Sequence, residues 1–301
     1  MRKLLPAVFS CCAVLALSAA ETFSFVRPVQ PGNLFGCRIR LSRSARYSFS
    51  LPGRDDPAVK LDTVEAEFHG YLMVRAVNAA GNPVRLRIVR GRFSGAVNGR
   101  PVSVVQDFLP DIEADLSGKS AVFSLADKAL SEEQLILLQN LFPPSSNSKL
   151  SDLTGRSRIL PNPGEGWKPE LKPFLDHLKL RQVELPPSAF RSGITYRGKE
   201  KIGKLDCRKF FLLIETSGLS DYDCRYRFSF CLAPAGPPVR MARDAEEVIR
   251  RVLRSAEPMS AGTKLELVTR DHTEQQLIPV SEIPPLKPDK KKTGTWDFLL
   301  H

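Results

Sequence analysis

The stretch "GKLDCRKFFLLIETSGLSDYDCRYRFSFC" brings Cys207, Cys224 and Cys231 close together in the chain. Thiols so placed could ligate a metal, attack a substrate, or pair with one another. Zinc ligands usually come as C-x2-4-C pairs with histidines nearby. The intervals here are longer, and His69, His177, His272 and His301 are scattered, none beside a cysteine. No metal site, catalytic residue or cofactor is implied.

The compartment decides the rest. The chain begins "MRKLLPAVFSCCAVLALSAAETF". Two basic residues, an apolar run from Leu4 to Leu17 and the small residues Ser18-Ala19-Ala20 predict a secretory signal peptide over residues 1–20. The run falls short of the roughly 20 residues a membrane span needs, and no second run of that length follows. Export to a bacterial periplasm, outer envelope or extracellular space is the expected location. No N-x-[ST] acceptor is present, which favours a bacterial source.

Removing the leader takes Cys11 and Cys12 and leaves Cys37, Cys207, Cys224 and Cys231. An even set of thiols in an oxidising compartment reads as disulfides. If Glu215 lies opposite Asp223 in a hairpin, residues whose numbers sum to 438 face each other, and Cys207 meets Cys231. Cys224 then points to the other face and is left for Cys37. Four cysteines allow three connectivities, so other pairings stay open.

Arginine supplies the second constellation. It recurs at alternate positions as Arg38 and Arg40, Arg85 and Arg87, Arg90 and Arg92, and Arg225 and Arg227. Guanidinium suits bidentate recognition of carboxylate, phosphate or sulfate. If the strands adjoin, they form a basic plate for an anionic glycan, a lipid headgroup or an acidic protein. The competing reading is the solvated face of a one-sided sheet, whose outward positions must be polar. The formal charge of +11, from 44 Lys and Arg against 33 Asp and Glu, suits either. Nucleic acid is disfavoured by export and by the lack of an interleaved aromatic platform.

Other chemistry finds little support. P-loop, G-x-S-x-G, H-E-x-x-H and G-x-G-x-x-G motifs are absent from the sequence. Asp176-His177 and Asp271-His272 are chain neighbours, which on a strand point apart. "DIEAD" and "DAEE" are acidic, but hydrolysis by paired carboxylates needs two of them to converge across the fold.

The elements that must position these residues follow from periodicity. "FGCRIRLSRSARYSFSL", "VEAEFHGYLMVRAVN" and "VRLRIVRGRFSGAV" alternate as half-buried strands, with a turn at "NAAGNP". "NGRPVSVVQDF" and "IEADLSGKSAVFSL" continue in short strands and turns, an antiparallel meander. "SEEQLILLQNLF" carries a Ser131 N-cap, a Gln134 capping box and a Pro143-Pro144 stop, which predicts a helix. "GITYRGKEKIGKLDCRKFFLLIE" and the strand after it complete a second meander. "RDAEEVIRRVLRSAEP" places Val248, Ile249, Val252 and Leu253 at helical spacing, which predicts an amphipathic helix. "TKLELVTRDHTEQQLIPV" predicts a last hairpin turning at Arg270 to Thr273.

The expected fold is α+β and mainly β: a curved antiparallel meander sheet, or two, with two main amphipathic helices. Its parts are the signal peptide 1–20, an N-terminal β lobe 21–142 ending in a helix, and an irregular connection 143–170. A C-terminal β lobe 171–283 with a helix and a disordered basic tail 284–301 follow.

"GYLMVRAVNAAGNPVRLRIVRGRFSG", "LSEEQLILLQNLF", and "LPNPGEGW" before "ITYRGKEKIGKLDC" resemble exported bacterial proteins of unknown function with a curved antiparallel sheet. Some of those resemble half-barrel lipoprotein carriers, which hold acyl chains against a sheet. The resemblance implies a binding or carrier role. The function expected is a non-catalytic exported binding protein that recognises an anionic ligand or partner; the alternatives are a periplasmic carrier of an apolar ligand and a hydrolase with unrecognised carboxylates.

Overall fold

The computed structural model describes residues 22–103, 111–125, 129–146, 150–180, 182–216, 219–252 and 262–284. The leader 1–20 and nearly all of the basic tail therefore lie outside the described residues. After strand β1 (Thr22–Ser24), the chain runs through β2 (Leu34–Ser50), β3 (Ala58–Val77) and β4 (Pro83–Val97), then the short strands β5 (Arg100–Ser103), β6 (Ile112–Asp115) and β7 (Val122–Leu125). Helix α1 (Glu132–Leu141), helix α2 (Leu150–Thr154), β8 (Ser157–Ile159), β9 (Gly166–Trp167) and helix α3 (Lys172–Leu180) lead to the second half. There β10 (Arg191–Ile202), β11 (Leu205–Glu215), β12 (Tyr222–Leu232), β13 (Arg240–Val252) and β14 (Lys264–Pro279) form a meander.

All these strands except β1 and β8, which pair with each other, join one antiparallel sheet. Its order is β7-β6-β4-β3-β2-β14-β13-β12-β11-β10-β9, with β5 also on β4. The sheet is open, ending at β7 and β9. The two meanders fuse where β2 pairs β14, from Lys264↔Ser50 to Pro279↔Phe35. One sheet therefore serves both halves of the chain, and Leu150, Leu153 and Leu160 of the connection pack against the core of the second half. Within that connection the structure adds α2, β8 and β9, where the sequence suggested irregular chain.

One face of the sheet is apolar and covered; the other is polar and exposed. On β2, Phe35, Cys37, Ile39 and Leu41 are buried, while Arg40 and Ser42, which point the other way, are exposed. Helix α1 covers the inner face over β2, β3 and β4. Its predicted capping box is present: Gln134 N donates to Ser131 Oγ at 3.3 Å, and Ser131 N donates to Gln134 Oε1 at 3.0 Å. Leu137 and Leu138 are fully buried, and each such side chain contributes about 1.5–3 kcal/mol. Phe68 lies beneath the helix end, edge-on to Phe142 at 5.1 Å. The Phe68 ring occupies space left by two glycines: a Cβ on Gly70 would come within 2.9 Å of its Cζ, and one on Gly91 within 3.0 Å of its Cε2.

Over the other half, Phe210 centres an aromatic cluster with Phe25 at 5.2 Å, Phe230 at 5.4 Å and Trp167 at 6.2 Å. Trp167 thus packs the connection onto the core. Farther along, Leu178 of α3 seals a buried cluster with Tyr222, Cys224 and Ile249.

Two sequence expectations are corrected. Residues Arg240–Val252 form strand β13, not an amphipathic helix; the expected last turns beyond 252 fall outside the described residues. Helical spacing of four apolar residues was outweighed by hydrogen bonding on both edges, to β12 and β14, and by register. Glu246 faces Arg225 on one neighbour and Arg270 on the other, and Arg250 faces Glu266. Opposite charges across strands stabilise this pairing by tenths of a kcal/mol to about 1 kcal/mol each. Likewise β14 runs unbroken through Arg270–Thr273, where a hairpin turn was expected. Long partners on both sides supply the ladder that keeps it straight.

Candidate functional site

The β11–β12 register sets the cysteines. Arg208 faces Leu232 and Lys209 faces Cys231, so facing residues sum to 440 rather than 438. Cys231 therefore sits opposite Lys209, and Cys207 opposite Glu200 of β10. Cys37 on β2 and Cys224 on β12 are separated by β14 and β13, roughly 14 Å at the usual strand spacing. All four thiols are free and buried in the structure. Burial raises the thiol pKa of each, that of Cys231 to about 12, which leaves little thiolate for nucleophilic attack.

The arginines stand on the polar face, interleaved with carboxylates. Arg38 and Arg40 both reach Glu67 Oε1, at 3.2 and 2.8 Å, and His69 Nε2 lies 2.9 Å from the same oxygen. Burial works to raise the Glu67 pKa, but hydrogen bonds from His69, Arg40 and Arg38 overcome it and bring the value to about 2. Arg85 pairs with Asp115 at 3.6 Å, Arg87 with Asp111 and Glu113 at 2.5 and 3.8 Å, and Arg225 with Glu215 at 3.4 Å. Arg227 faces Asp244 in register. Arg92 faces His69, and Arg90, at positive φ in a bulge of β4, donates to the Pro284 carbonyl. An incoming anion would have to displace a carboxylate from most of these guanidiniums. Carboxylates thus pair with five of these eight guanidiniums: Arg38, Arg40, Arg85, Arg87 and Arg225.

The same face holds a contact the sequence did not suggest. His272 Nδ1 lies 2.6 Å from Asp244 Oδ1, on the neighbouring strand. Helical spacing in "RDAEEVIRRVLRSAEP" gives no hint of the pair, which forms because Asp244 lies on a strand beside His272. Both side chains are largely exposed, at 47% and 62%, so they lack the desolvated setting of a strong catalytic dyad. Among the described residues, no group of three or more His, Cys, Asp or Glu could hold a metal ion.

The inner face carries a different feature. Between α1 and the layer that covers the second half, the seam of the sheet is left partly open. A cavity of 490 Å³ occupies the gap. Ile39 of β2, Leu72 and Val74 of β3, Leu86 of β4, and Leu277 of β14 form its floor. Leu141, Phe142 and Pro143 at the end of α1 make one wall. The arm Phe25–Val29 and the start of α2 make another, with the turn 79–83 and Pro237-Pro238 completing it. Polar groups are few: Gln275, Asn82, Ser145 and Ser151. Among the described residues that line it, Arg27 is the charged one and none is a carboxylate. The volume lies within the roughly 300–1,000 Å³ typical of small-molecule sites, and apolar walls with a few polar groups are their usual composition.

Alternation of apolar residues on β2, β3, β4 and β14 announces an inner face. The gap itself depends on where α1 stops and where residues 25–33 cross, which no local pattern encodes.

No protein-family model matches the chain, and no curated protein sequence matches it. Among solved structures, it is similar to lipovitellin in a study of lipid-protein interactions, with 8% identity, 86% of this chain and 26% of that chain covered, and a TM-score of 0.27. The chain thus spans about a quarter of that protein. It is also similar to OccK11 (OpdR) of Pseudomonas aeruginosa, with 7% identity, 84% and 100% of the two chains covered, and a TM-score of 0.15. Superpositions this loose carry no argument about function. No helix among the described residues is long and apolar enough to cross a membrane.

Proposed function

We propose that this is an exported, non-catalytic binding protein that holds an apolar ligand in the cavity between the sheet and its covering layer. The supporting observation is the 490 Å³ space with an apolar floor at the β2–β14 seam. A gap of that size in a close-packed interior forfeits dispersion contacts with every wall atom, and a ligand restores them. Each methylene moved from water into such a site contributes about 0.8 kcal/mol, so a medium-length chain gains enough to offset the cost of association. Export is supported by the Met1–Ala20 leader pattern.

The anionic-partner reading draws on the arginines, but their carboxylate neighbours weigh against an open cationic plate. The cavity is the stronger feature.

Filling the cavity tests the proposal. Leu277, partly buried on its floor, is replaced by tryptophan, and binding of 1-dodecanol is measured by titration calorimetry. The native protein is expected to bind, and Leu277→Trp to lose tenfold or more in affinity while retaining its melting transition. Failure of the native protein to bind 1-dodecanol, or unchanged binding by a folded Leu277→Trp, would refute the assignment.

A further inference from the structure

A molecule in the cavity meets few polar groups, and the state of those groups restricts its chemistry. Arg27 lies on the wall, but its guanidinium is engaged elsewhere. Nη1 donates to the Ala233 and Pro234 carbonyls at 2.7 and 2.8 Å, Nη2 donates to the Ser24 carbonyl at 2.6 Å, and Nε is sealed from solvent. The Phe23 ring centre lies 4.7 Å from the guanidinium carbon. Phe23, Ser24, Ala233 and Pro234 all stand outside the cavity lining, so the guanidinium is turned away from the space. No carboxylate is among the described residues that line it. The cavity therefore presents no charge of either sign, and an ion taken out of water without a partner is costly.

Two uncharged side chains offer something else. Gln275 stands on the inner face of β14, in one row with Ile39 of β2 and Met241 of β13. Its amide has no hydrogen-bond partner among the described residues and is not sealed from solvent; the residue lines the cavity. Ser151 of α2, on the wall, is 8% exposed, and its hydroxyl is likewise unpartnered among the described residues and unsealed. Polar groups inside a protein ordinarily have partners. A glutamine amide has two N–H donors and a carbonyl acceptor, and a serine hydroxyl can donate or accept. Both complement a neutral carbonyl group.

We infer that the ligand of the cavity is uncharged, an apolar chain carrying an amide or ester carbonyl, and that the Gln275 amide donates to that carbonyl. The inference rests on the cavity reading above and adds the ligand's chemical class: the chain covers Ile39, Leu72, Leu86 and Leu277, and its carbonyl sits over Gln275.

The test measures binding of decanamide, methyl decanoate and decanoate to the intact native protein by titration calorimetry at pH 8, where the acid is ionised. It repeats the series on Gln275→Met, which keeps an unbranched side chain and removes the amide. The better of the two neutral ligands is expected to bind the native protein tenfold or more tightly than decanoate, and its identity tells amide from ester. Gln275→Met should weaken that ligand about three- to tenfold, the range for one neutral hydrogen bond. Decanoate binding as tightly as both neutral ligands would overturn the class assignment while leaving the cavity reading intact. Binding of none of the three would overturn both. A Gln275→Met protein that keeps its melting transition and binds the neutral ligand unchanged would refute the role of Gln275. If that variant fails to fold, the comparison of neutral and charged ligands on the native protein decides alone.

Discussion

Replacing Asp271 by asparagine tests whether the fusion of the two meanders depends on charge at the seam. Asp271 lies on β14 with its side chain 12% exposed. Its Oδ2 accepts from Arg43 Nη2 of β2 at 2.7 Å and from Arg243 Nη2 of β13 at 2.5 Å. Arg43 also reaches Asn140 of α1 at 2.7 Å, so the carboxylate indirectly ties helix to sheet. Asparagine keeps the shape and removes the charge, leaving two guanidiniums facing a neutral amide. A hydrogen bond to a charged group contributes about 1.5–3 kcal/mol net; Arg43 and Arg243 are 42% and 34% exposed, so solvent screening takes part of this. The expected loss is about 2–4 kcal/mol, which for a chain of this size lowers Tm by roughly 5–12 °C.

The pH dependence gives a second reading. Burial works to raise the Asp271 pKa, but the charges and hydrogen bonds of Arg243 and Arg43 outweigh it, and the folded value lies below the ordinary one. A depressed carboxyl pKa stabilises the fold above the unfolded value, about 3.9, and that contribution is lost as pH falls through the folded value. Urea unfolding of the native protein and Asp271→Asn at pH 7 and at pH 3 should therefore show a gap that narrows in acid. A gap under about 0.5 kcal/mol at pH 7, or one that widens in acid, would refute the reasoning, since surface pairs of little consequence give that much.

Two further predictions concern packing and sulfur. Gly95→Ala should destabilise the β3–β4 pairing by about 1–3 kcal/mol, because its Cβ would stand 1.9 Å from the Glu65 carbonyl oxygen and the strands would have to part; differential scanning calorimetry reads the shift. Cys37, Cys207, Cys224 and Cys231 should react with a thiol reagent only slowly in the native protein and all four at once in guanidinium without reductant. A denatured, unreduced sample in which these four fail to react would show that they are paired in the purified protein.

The strand-rich class and the first helix are legible in local sequence alone. Alternation in "FGCRIRL" and "VRLRIVR" has a period of two whichever partner the strand meets, so Cys37, Ile39 and Leu41 had to share a face. The capping box at Ser131 and Gln134 and the stop at Pro143 act within one turn of chain, and the structure shows α1 where they place it. Arg38 and Arg85 were assigned outward by the same alternation. What they meet there was decided by the neighbouring strand: a pair such as Arg38 and Glu67 depends on which strand lies alongside and in what register. A shift of two in the β11–β12 register moved Cys207 off Cys231 without disturbing any hydrophobic pattern, because both arrangements keep every side chain on its own face. Residues 240–252 carry spacings compatible with helix or strand, and only two hydrogen-bonded neighbours resolved them into β13. The cavity lies furthest from the sequence. A cavity results from where separate segments fail to meet, and no local pattern in any one of them encodes that.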